Sequence, residues 1–387
     1  MKTFDLAYTG YRALRALVEV GRDEVEARLR GFPRGAESLD RHWLGRALGA
    51  DVEGFEILEA HSGTTSRLRL RLEGQAGARR LPAQLFVKLT PRSFGQRFFL
   101  AATGIGRNEV RFYETVRPGL AVRSPEILGL GRLGPGRQFA LLLEDIAQSG
   151  TRLPSVGQRA DEKDARKVVA ALATLHASLW ESPRFDPDHG DLAWLPRFET
   201  RQHDLRWERV VTAAMVGRAE TLFADDFDAP FREIVAACRD RRDRLEALLA
   251  RGPRTFIHGD CHFGNLFFEG DHVGFFDWQI CGMATGMRDV GYFLCTSLPT
   301  ALRREHEISL IRSYLEALEH AGVPSPSFED TWHQYRLVAL YAFIAAAFTA
   351  AAGDAMQSLA IGKAGLSRAT AAAIDLESVA ALDDSPG

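Results

Sequence analysis

The sequence predicts an α+β protein in which a strand-rich first half precedes a helix-rich second half. Hydrophobic periodicity switches from helical to alternating near residue 55, and returns to helical after residue 158. A polar connector, AQSGTRLPSVGQ at 147–158, separates the two regimes. One short β-type stretch, 254–277, is embedded in the helical half. The expected division is a first part over 1–146 and a second over 147–387.

Along the chain, YRALRALVEVGRDEVEARLRG carries apolar residues at helical spacing and ends at Gly31. FEILEAHSGTTSRLRLRLEG reads as two strands around the turn Ser62, Gly63, Thr64, Thr65, Ser66, and its RLRLRL alternates strictly. AQLFVKL is a third strand and GRNEVRFYETV an amphipathic helix. PEILGLGRLGPGRQFALLLEDI gives two more strands joined by a Gly-Pro-Gly turn. The second half supplies helices over EKDARKVVAALATLHASLW and FREIVAACRDRRDRLEALLA, and several after residue 285. Between the first two lies 181–228, aromatic and acidic, with eleven Asp/Glu against six Arg. The uncharged LVALYAFIAAAFTAAAG (337–353) is near the lower length limit for a membrane span. Ala and Gly drive insertion weakly, so a buried core helix is expected there and no span.

The 387 residues are 46% hydrophobic and 26% charged, the balance of a soluble globular protein. A net charge of −3 gives no case for nucleic acid as a partner. The four cysteines, Cys238, Cys261, Cys281 and Cys295, form no CxxC pair. MKTFDLAYTG lacks the apolar run of a signal peptide, so reduced thiols and a cytoplasmic location are expected.

The embedded β-type stretch concentrates polar ligand-type side chains: HGDCHFGNLFF at 258–268, then a further Asp in VGFFDWQ. Asp260 and Asn265 stand in the order H-G-D-x-x-x-x-N, the Asp-to-Asn step of the protein-kinase catalytic loop, H-R-D-x-x-x-x-N. There the Asp accepts the proton of the attacking hydroxyl, and the Asn and a later carboxylate hold Mg²⁺. Asp277 follows Asn265 by twelve positions, and LFFEGDHVGFF can fold back as a hairpin to bring the two together. Lys88 lies inside the apolar strand LFVKL, where a bare ammonium is costly, so it needs an anionic partner. Glu109, on the following helix, is the candidate, and a strand Lys paired to a helix Glu is also a kinase arrangement. The turn 62–66 falls where a loop covering phosphates is required. LLLEDI (141–146) offers backbone groups to an adenine edge.

Taken singly, each feature has a plain structural explanation: a snorkelling Lys, a solvated Glu, an ordinary hairpin turn. The weight lies in their number and order. His258 and His262 are expected as hydrogen-bonded core residues, with His258 stabilising the loop. A zinc site built on His258, Cys261, His262 and Cys281 has unusual ligand spacing. Consecutive Cys261 and His262 point to opposite sides if extended.

FIHGDCHFGNLFF, GFFDWQ and RDVGYFL together resemble the aminoglycoside phosphotransferase and choline-kinase-like superfamily, and most closely its ecdysteroid-kinase-like branch and bacterial relatives. The resemblance spans about 55 to 365. It implies a bilobal protein-kinase-like fold, with a small antiparallel sheet and one main helix in the first lobe, a larger helical second lobe, and ATP between them. By position, Asp260 would be the catalytic base, with Asn265 and Asp277 the Mg²⁺ ligands. Lys88 would hold phosphates, with Glu109 its partner. Glu144, Asp145 and Ile146 would form the adenine-facing hinge, and Asp289 a structural carboxylate under the catalytic loop. The turn Ser62 to Ser66 departs from the glycine-rich form of protein kinases. The short segment Gly282 to Arg288 leaves little room for a protein-substrate platform, which points to a small-molecule alcohol as acceptor. The implied activity is an ATP- and Mg²⁺-dependent phosphotransferase; a nucleotide-binding module without transfer activity is the alternative. Candidates to line the acceptor site are Asp191, Trp194, Trp207, Trp332 and Tyr335, an acidic and aromatic set that suits a cationic or amphipathic alcohol.

Overall fold

The structure is a computed structural model that describes residues 3–63, 65–76, 81–133, 138–147, 150–155, 157–197 and 205–384. The chain divides into two units, one formed by Met1–Pro118 and Ser124–Thr151, the other by Gly119–Arg123 and Arg152–Gly387.

The first unit begins with α1 (Thr3–Arg30). It stops at Gly31, where a φ of 58° turns the chain and the Phe32 N–H closes onto the Ala27 carbonyl. In α2 (Arg41–Leu48), the Asp40 carboxylate caps the Trp43 N–H. Five antiparallel strands follow: β1 (Asp51–Ser62), β2 (Ser66–Ala76), β3 (Gln84–Leu89), β4 (Ile127–Leu133) and β5 (Gln138–Glu144), in the order β1-β2-β3-β5-β4. The alternation of RLRLRL is realised: Leu68, Leu70 and Leu72 are buried while Arg67 and Arg71 stay exposed. The leucines join Trp43, Leu44 and Leu48 of α2 in one apolar cluster with Leu85, Val87 and Leu142. The Gly-Pro-Gly turn between β4 and β5 lies outside the described residues.

Between β3 and β4 run α3 (Phe94–Thr103) and α4 (Ile105–Arg111), the latter continuing into a π-helical turn over Phe112–Val116. A Cβ on Gly106 would meet the Phe139 ring at 2.4 Å, so only glycine lets α4 lie this close to β5. Glu109 is one turn further along and on the same face.

The second unit is entered through the two-residue strand β6 (Thr151–Arg152) and is mostly helical: α5 (Glu162–Ser178), α6 (Leu205–Leu222), α7 (Ala229–Asp240) and α8 (Arg242–Leu249). The single helix expected over 231–250 breaks at Arg241. Nothing is buried between Cys238 and Leu245, so no core contact holds that turn helical. Then come β7 (Thr255–Ile257), β8 (Leu266–Glu269), β9 (His272–Phe275) and β10 (Gly282–Ala284). The expected hairpin is β8–β9, reversed at Gly270 with a φ of 62°. The ladder between β10 and β7 is an addition that the sequence pattern did not signal.

The last helices are α9 (Met287–Ser297), α10 (Thr300–His320), α11 (Phe328–Ala352) and α12 (Leu359–Asp375). Packed against α6, α9 and α12, α11 contributes Leu337, Val338, Leu340, Phe343, Ile344 and Ala347 to the main core. That explains why the helix carries no charge from Leu337 onward. By length and composition it could also cross a membrane, yet 61% of its most apolar window is buried inside the structure.

Candidate active site

Each unit holds one cluster of the candidate residues. In the first, Lys88 of β3 and Glu109 of α4 are 3% and 1% exposed. The Lys88 ammonium lies 2.9 Å from one Glu109 carboxylate oxygen and 2.7 Å from the other. The partner demanded by a cation in an apolar strand is therefore present, and mutual charge offsets the cost of burying both. Ser62 and Ser66 pair across the strand ends, and the Gly63 N–H donates to the Thr65 carbonyl at 3.1 Å. Thr64 lies outside the described residues. At the end of β5, the Glu144 carboxylate accepts the Glu126 N–H, and the Asp145 carboxylate accepts Arg69 Nε at 3.0 Å and the Ala147 N–H at 3.1 Å. These side chains fix the strand end, and Ile146, half-buried, follows directly.

In the second unit everything is hung from Asp289 in the first turn of α9. Its carboxylate is fully buried and accepts two consecutive backbone donors, the His258 N–H at 2.6 Å and the Gly259 N–H at 2.8 Å. His176 of α5 adds Nε2 at 3.3 Å, and its Nδ1 meets the Tyr314 hydroxyl at 2.9 Å. Burial alone would raise the Asp289 pKa, but the His176 hydrogen bond and the Gly259 N–H hold it below the ordinary carboxylate value. Gly259 has a φ of 83°, and a Cβ there would strike the Ile280 carbonyl at 2.1 Å.

The buried His258 ring joins the two acidic segments. Its Nδ1 accepts the Asp260 N–H at 3.3 Å and its Nε2 donates to the Phe276 carbonyl at 3.0 Å, which fixes the tautomer. A 3-10 turn over Phe263–Asn265, capped by His262 Nδ1 on the Gly264 N–H, then returns the chain. The D-x-x-x-x-N spacing thereby becomes a contact: Asn265 Nδ2 donates to the Asp260 carbonyl at 3.0 Å and to its carboxylate at 3.2 Å. The Phe276 N–H donates to the Asn265 carbonyl at 3.1 Å, so the hairpin register sets Asn265 beside the residue before Asp277. Asp277 itself is left-handed, φ 65° and ψ 63°, a conformation few non-glycine residues hold without a local constraint.

Asp260 and His262 are each about one-third exposed at the side chain, at 35% and 36%. His262 is thus a rim residue, not the core histidine expected, because its ring caps the turn and its Nε2 faces the Asp260 carboxylate at 3.8 Å. Asn265 spends its amide N–H groups on Asp260, which leaves its amide oxygen as the donor. With Asp277 it offers hard oxygen donors of the kind Mg²⁺ accepts alongside phosphate oxygens and water. Among the described residues no group of three or more His, Cys, Asp and Glu gathers to hold a metal by itself. The zinc arrangement is therefore not formed there: His258 is spent on backbone groups, and burial pushes the Cys261 thiol well up. All four cysteines are buried and none forms a disulfide.

Several contributors went unrecognised in the sequence. His176, in LATLHASLW, looked like one position of an amphipathic helix. Tyr292 is three residues after Asp289 on α9, a spacing that shares a helix face and was a usable signal. Burial and the neighbouring Asp260 carboxylate push its hydroxyl pKa well up, so it stays a neutral donor. Tyr341 packs beside it with ring centroids 5.7 Å apart, and the Arg288 guanidinium lies 3.9 Å over the Tyr341 ring. Of the acceptor candidates, Tyr335 is fully buried with its hydroxyl on Glu307, a core position. Trp332 is packed against Phe328 and Tyr335, and Asp191 is an exposed partner of Arg184. Trp194 is half-buried, and the side chain of Trp207 is outside the described set.

A small antiparallel sheet with a buried Lys–Glu pair, together with a helical part carrying an Asp–Asn loop and a hairpin Asp, defines a kinase-like phosphotransferase fold. The comparisons agree. The fold is similar to that of aminoglycoside 2'-phosphotransferase-IIIa in its GDP complex, at 13% identity and a TM-score of 0.51, covering 83% of this chain and 93% of that one. It is similar to choline kinase from Cryptosporidium parvum, at 12% identity and a TM-score of 0.50, covering 84% and 89%. No curated protein matches the chain. The model of the ecdysteroid kinase-like family matches residues 59–322, and the chain belongs to that family.

Two outcomes follow from this geometry. Lys88→Met strands the buried Glu109 carboxylate and should lower stability by about 3–5 kcal/mol, the usual cost of breaking a buried pair. Lys88→Met combined with Glu109→Leu should regain most of it; urea denaturation of Lys88→Met, Glu109→Leu and the double variant checks the coupling, and additive losses contradict it. Because the folded pKa of Asp289 is depressed, its stabilisation is present above the unfolded value near ~3.9 and is lost as pH falls through the folded value. Asp289→Asn should therefore be less stable than wild type at pH 7, with the gap closing on acidification below about pH 4. A gap that stays constant down to pH 2 goes against the assignment.

Proposed function

We propose that the chain is an ATP- and Mg²⁺-dependent phosphotransferase acting on a hydroxyl group of a small molecule. The observation that carries this is the contact of Asn265 with Asp260, locked through His258 to the strand end that presents Asp277. Asp260, partly exposed and held by Asn265, orients the acceptor hydroxyl and takes its proton as the oxygen attacks the γ-phosphorus and the bond from that phosphorus to the departing ADP oxygen breaks. Tyr292 stays neutral and donates toward the same carboxylate, which favours one orientation of it. Asn265 and Asp277 would hold Mg²⁺, which when bound neutralises phosphate charge. Lys88, held by Glu109, positions the α- and β-phosphates, and the turn Ser62 to Ser66 covers them. The backbone of Glu144, Asp145 and Ile146 meets the adenine. Most of the rate enhancement on this reading is positioning and electrostatics.

A small acceptor is supported by the segment after the hairpin. Gly282–Ala284 is consumed in the ladder with β7, and α9 starts at Met287, so this segment holds no long loop to grip a peptide. The test is a mass-spectrometric screen of the full chain with ATP, Mg²⁺ and a panel of amino alcohols, sugars, aminoglycosides and polycyclic alcohols. At least one compound should gain one phosphate, and chelation of Mg²⁺ should stop the gain. ATP binding with no transfer to any alcohol and no ADP formation would count against a transferase.

A further inference from the structure

Helix α1 is apolar on two opposite sides. Its inner side, Ala16, Val20, Asp23 and Ala27, is buried in the first unit. Arg97 ties the helix down through the Val20 carbonyl, and Gln138 does so through the Asp23 carbonyl. Its outer side carries Tyr11, Leu14, Val18, Val25 and Leu29, which are 57%, 61%, 64%, 58% and 82% exposed. At 3.6 residues per turn these five fall within about 60° of one another, a single seam roughly 27 Å long. Scattered exposed hydrophobics are ordinary, but five aligned on one docked helix are not.

The polar residues beside the seam identify its occupant. Arg15, Glu19, Arg22 and Glu26 line one flank of it. Two copies of α1 laid antiparallel about a two-fold axis between Val20 and Gly21 bring that flank against itself. Arg15 then faces Glu26 of the second copy, Glu19 faces Arg22, Tyr11 approaches Leu29, and Leu14 approaches Val25. Both charge pairs are centred on this axis and the two apolar pairs fall within one residue of it, which is the self-complementarity an isologous contact requires. Gly21 sits at the axis. Nothing in its own chain lies within 4 Å of where a Cβ would be, and an exposed mid-helix glycine costs about 1 kcal/mol against alanine. A close approach by a second backbone accounts for it. We propose that the outer face of α1 is a homodimer interface formed by antiparallel pairing with a second copy of this chain. The seam is short beside a standard interface of roughly 1,600 Å², so the dimer should dissociate in the micromolar range.

Sedimentation velocity of the full chain over a concentration series is the test. Wild type should shift from monomer to dimer, and Val18→Glu, an exposed change, should stay monomeric with an unchanged melting temperature. Arg15→Glu and Glu26→Arg should each weaken the dimer, and the two together should restore it. The double variant also breaks the intrachain pairs Arg15–Glu19 and Glu26–Arg30, so recovery reports only the contact between copies. With every native thiol buried, Gly21→Cys should cross-link to itself on oxidation and Leu29→Cys should not. A monomer at every concentration overturns the proposal, as does self-linking of Leu29→Cys, the mark of a parallel pair. Monomeric wild type that binds anionic vesicles through Val18 assigns the seam to a membrane surface instead.

Discussion

The Asp289 carboxylate receives the N–H groups of His258 and Gly259, and that pair of hydrogen bonds decides where the Asp260–Asn265 loop begins. Two adjacent backbone donors can converge on one carboxylate only if the chain turns sharply there, and the left-handed Gly259 supplies the turn. The placement of the candidate residues in the second unit follows from that start. His258 is placed so that its two ring nitrogens meet the Asp260 N–H and the Phe276 carbonyl, and Asn265 closes back onto Asp260. A buried anion is costly, and this one is tolerated because three donors surround it and its pKa is held down.

The first unit solves a related problem differently. A lysine in a central strand needs a carboxylate, and the nearest element is a helix that must approach the sheet closely. Gly106 permits the approach, and the helical repeat delivers Glu109 one turn later. In both units a glycine, carrying no chemistry of its own, sets how closely a buried carboxylate is met by its partners.

Much of this was legible in the sequence because it rests on spacing. The strict alternation in RLRLRL fixed which face of β2 is buried, and the D-x-x-x-x-N step survives as hydrogen bonds between Asn265 and Asp260. Lys88 announced a missing partner by standing in an apolar run, and Glu109 is that partner. What escaped were contacts with no local signature. His176 reaches Asp289 from a helix more than a hundred residues away, and its sequence neighbours show only helical periodicity. Tyr335 looked like a wall residue because aromatic character says nothing of direction, yet its hydroxyl is committed to the buried Glu307. The β7–β10 ladder joins three-residue strands too short to show alternation.

The sharpest measurement separates Asp260 from Asp277, two carboxylates near one hairpin with different work. Titration calorimetry of ATP with and without Mg²⁺ on Asp260→Asn and Asp277→Asn, alongside turnover, does so. Asp260→Asn should bind ATP–Mg²⁺ about as well as wild type while turnover falls at least about 10²-fold, the scale of a lost general base. Asp277→Asn should lose turnover and also the Mg²⁺-dependent part of nucleotide affinity, because a charged metal ligand is gone. Nucleotide binding abolished by Asp260→Asn, with the Mg²⁺ dependence intact in Asp277→Asn, would contradict both roles and with them the phosphotransferase mechanism.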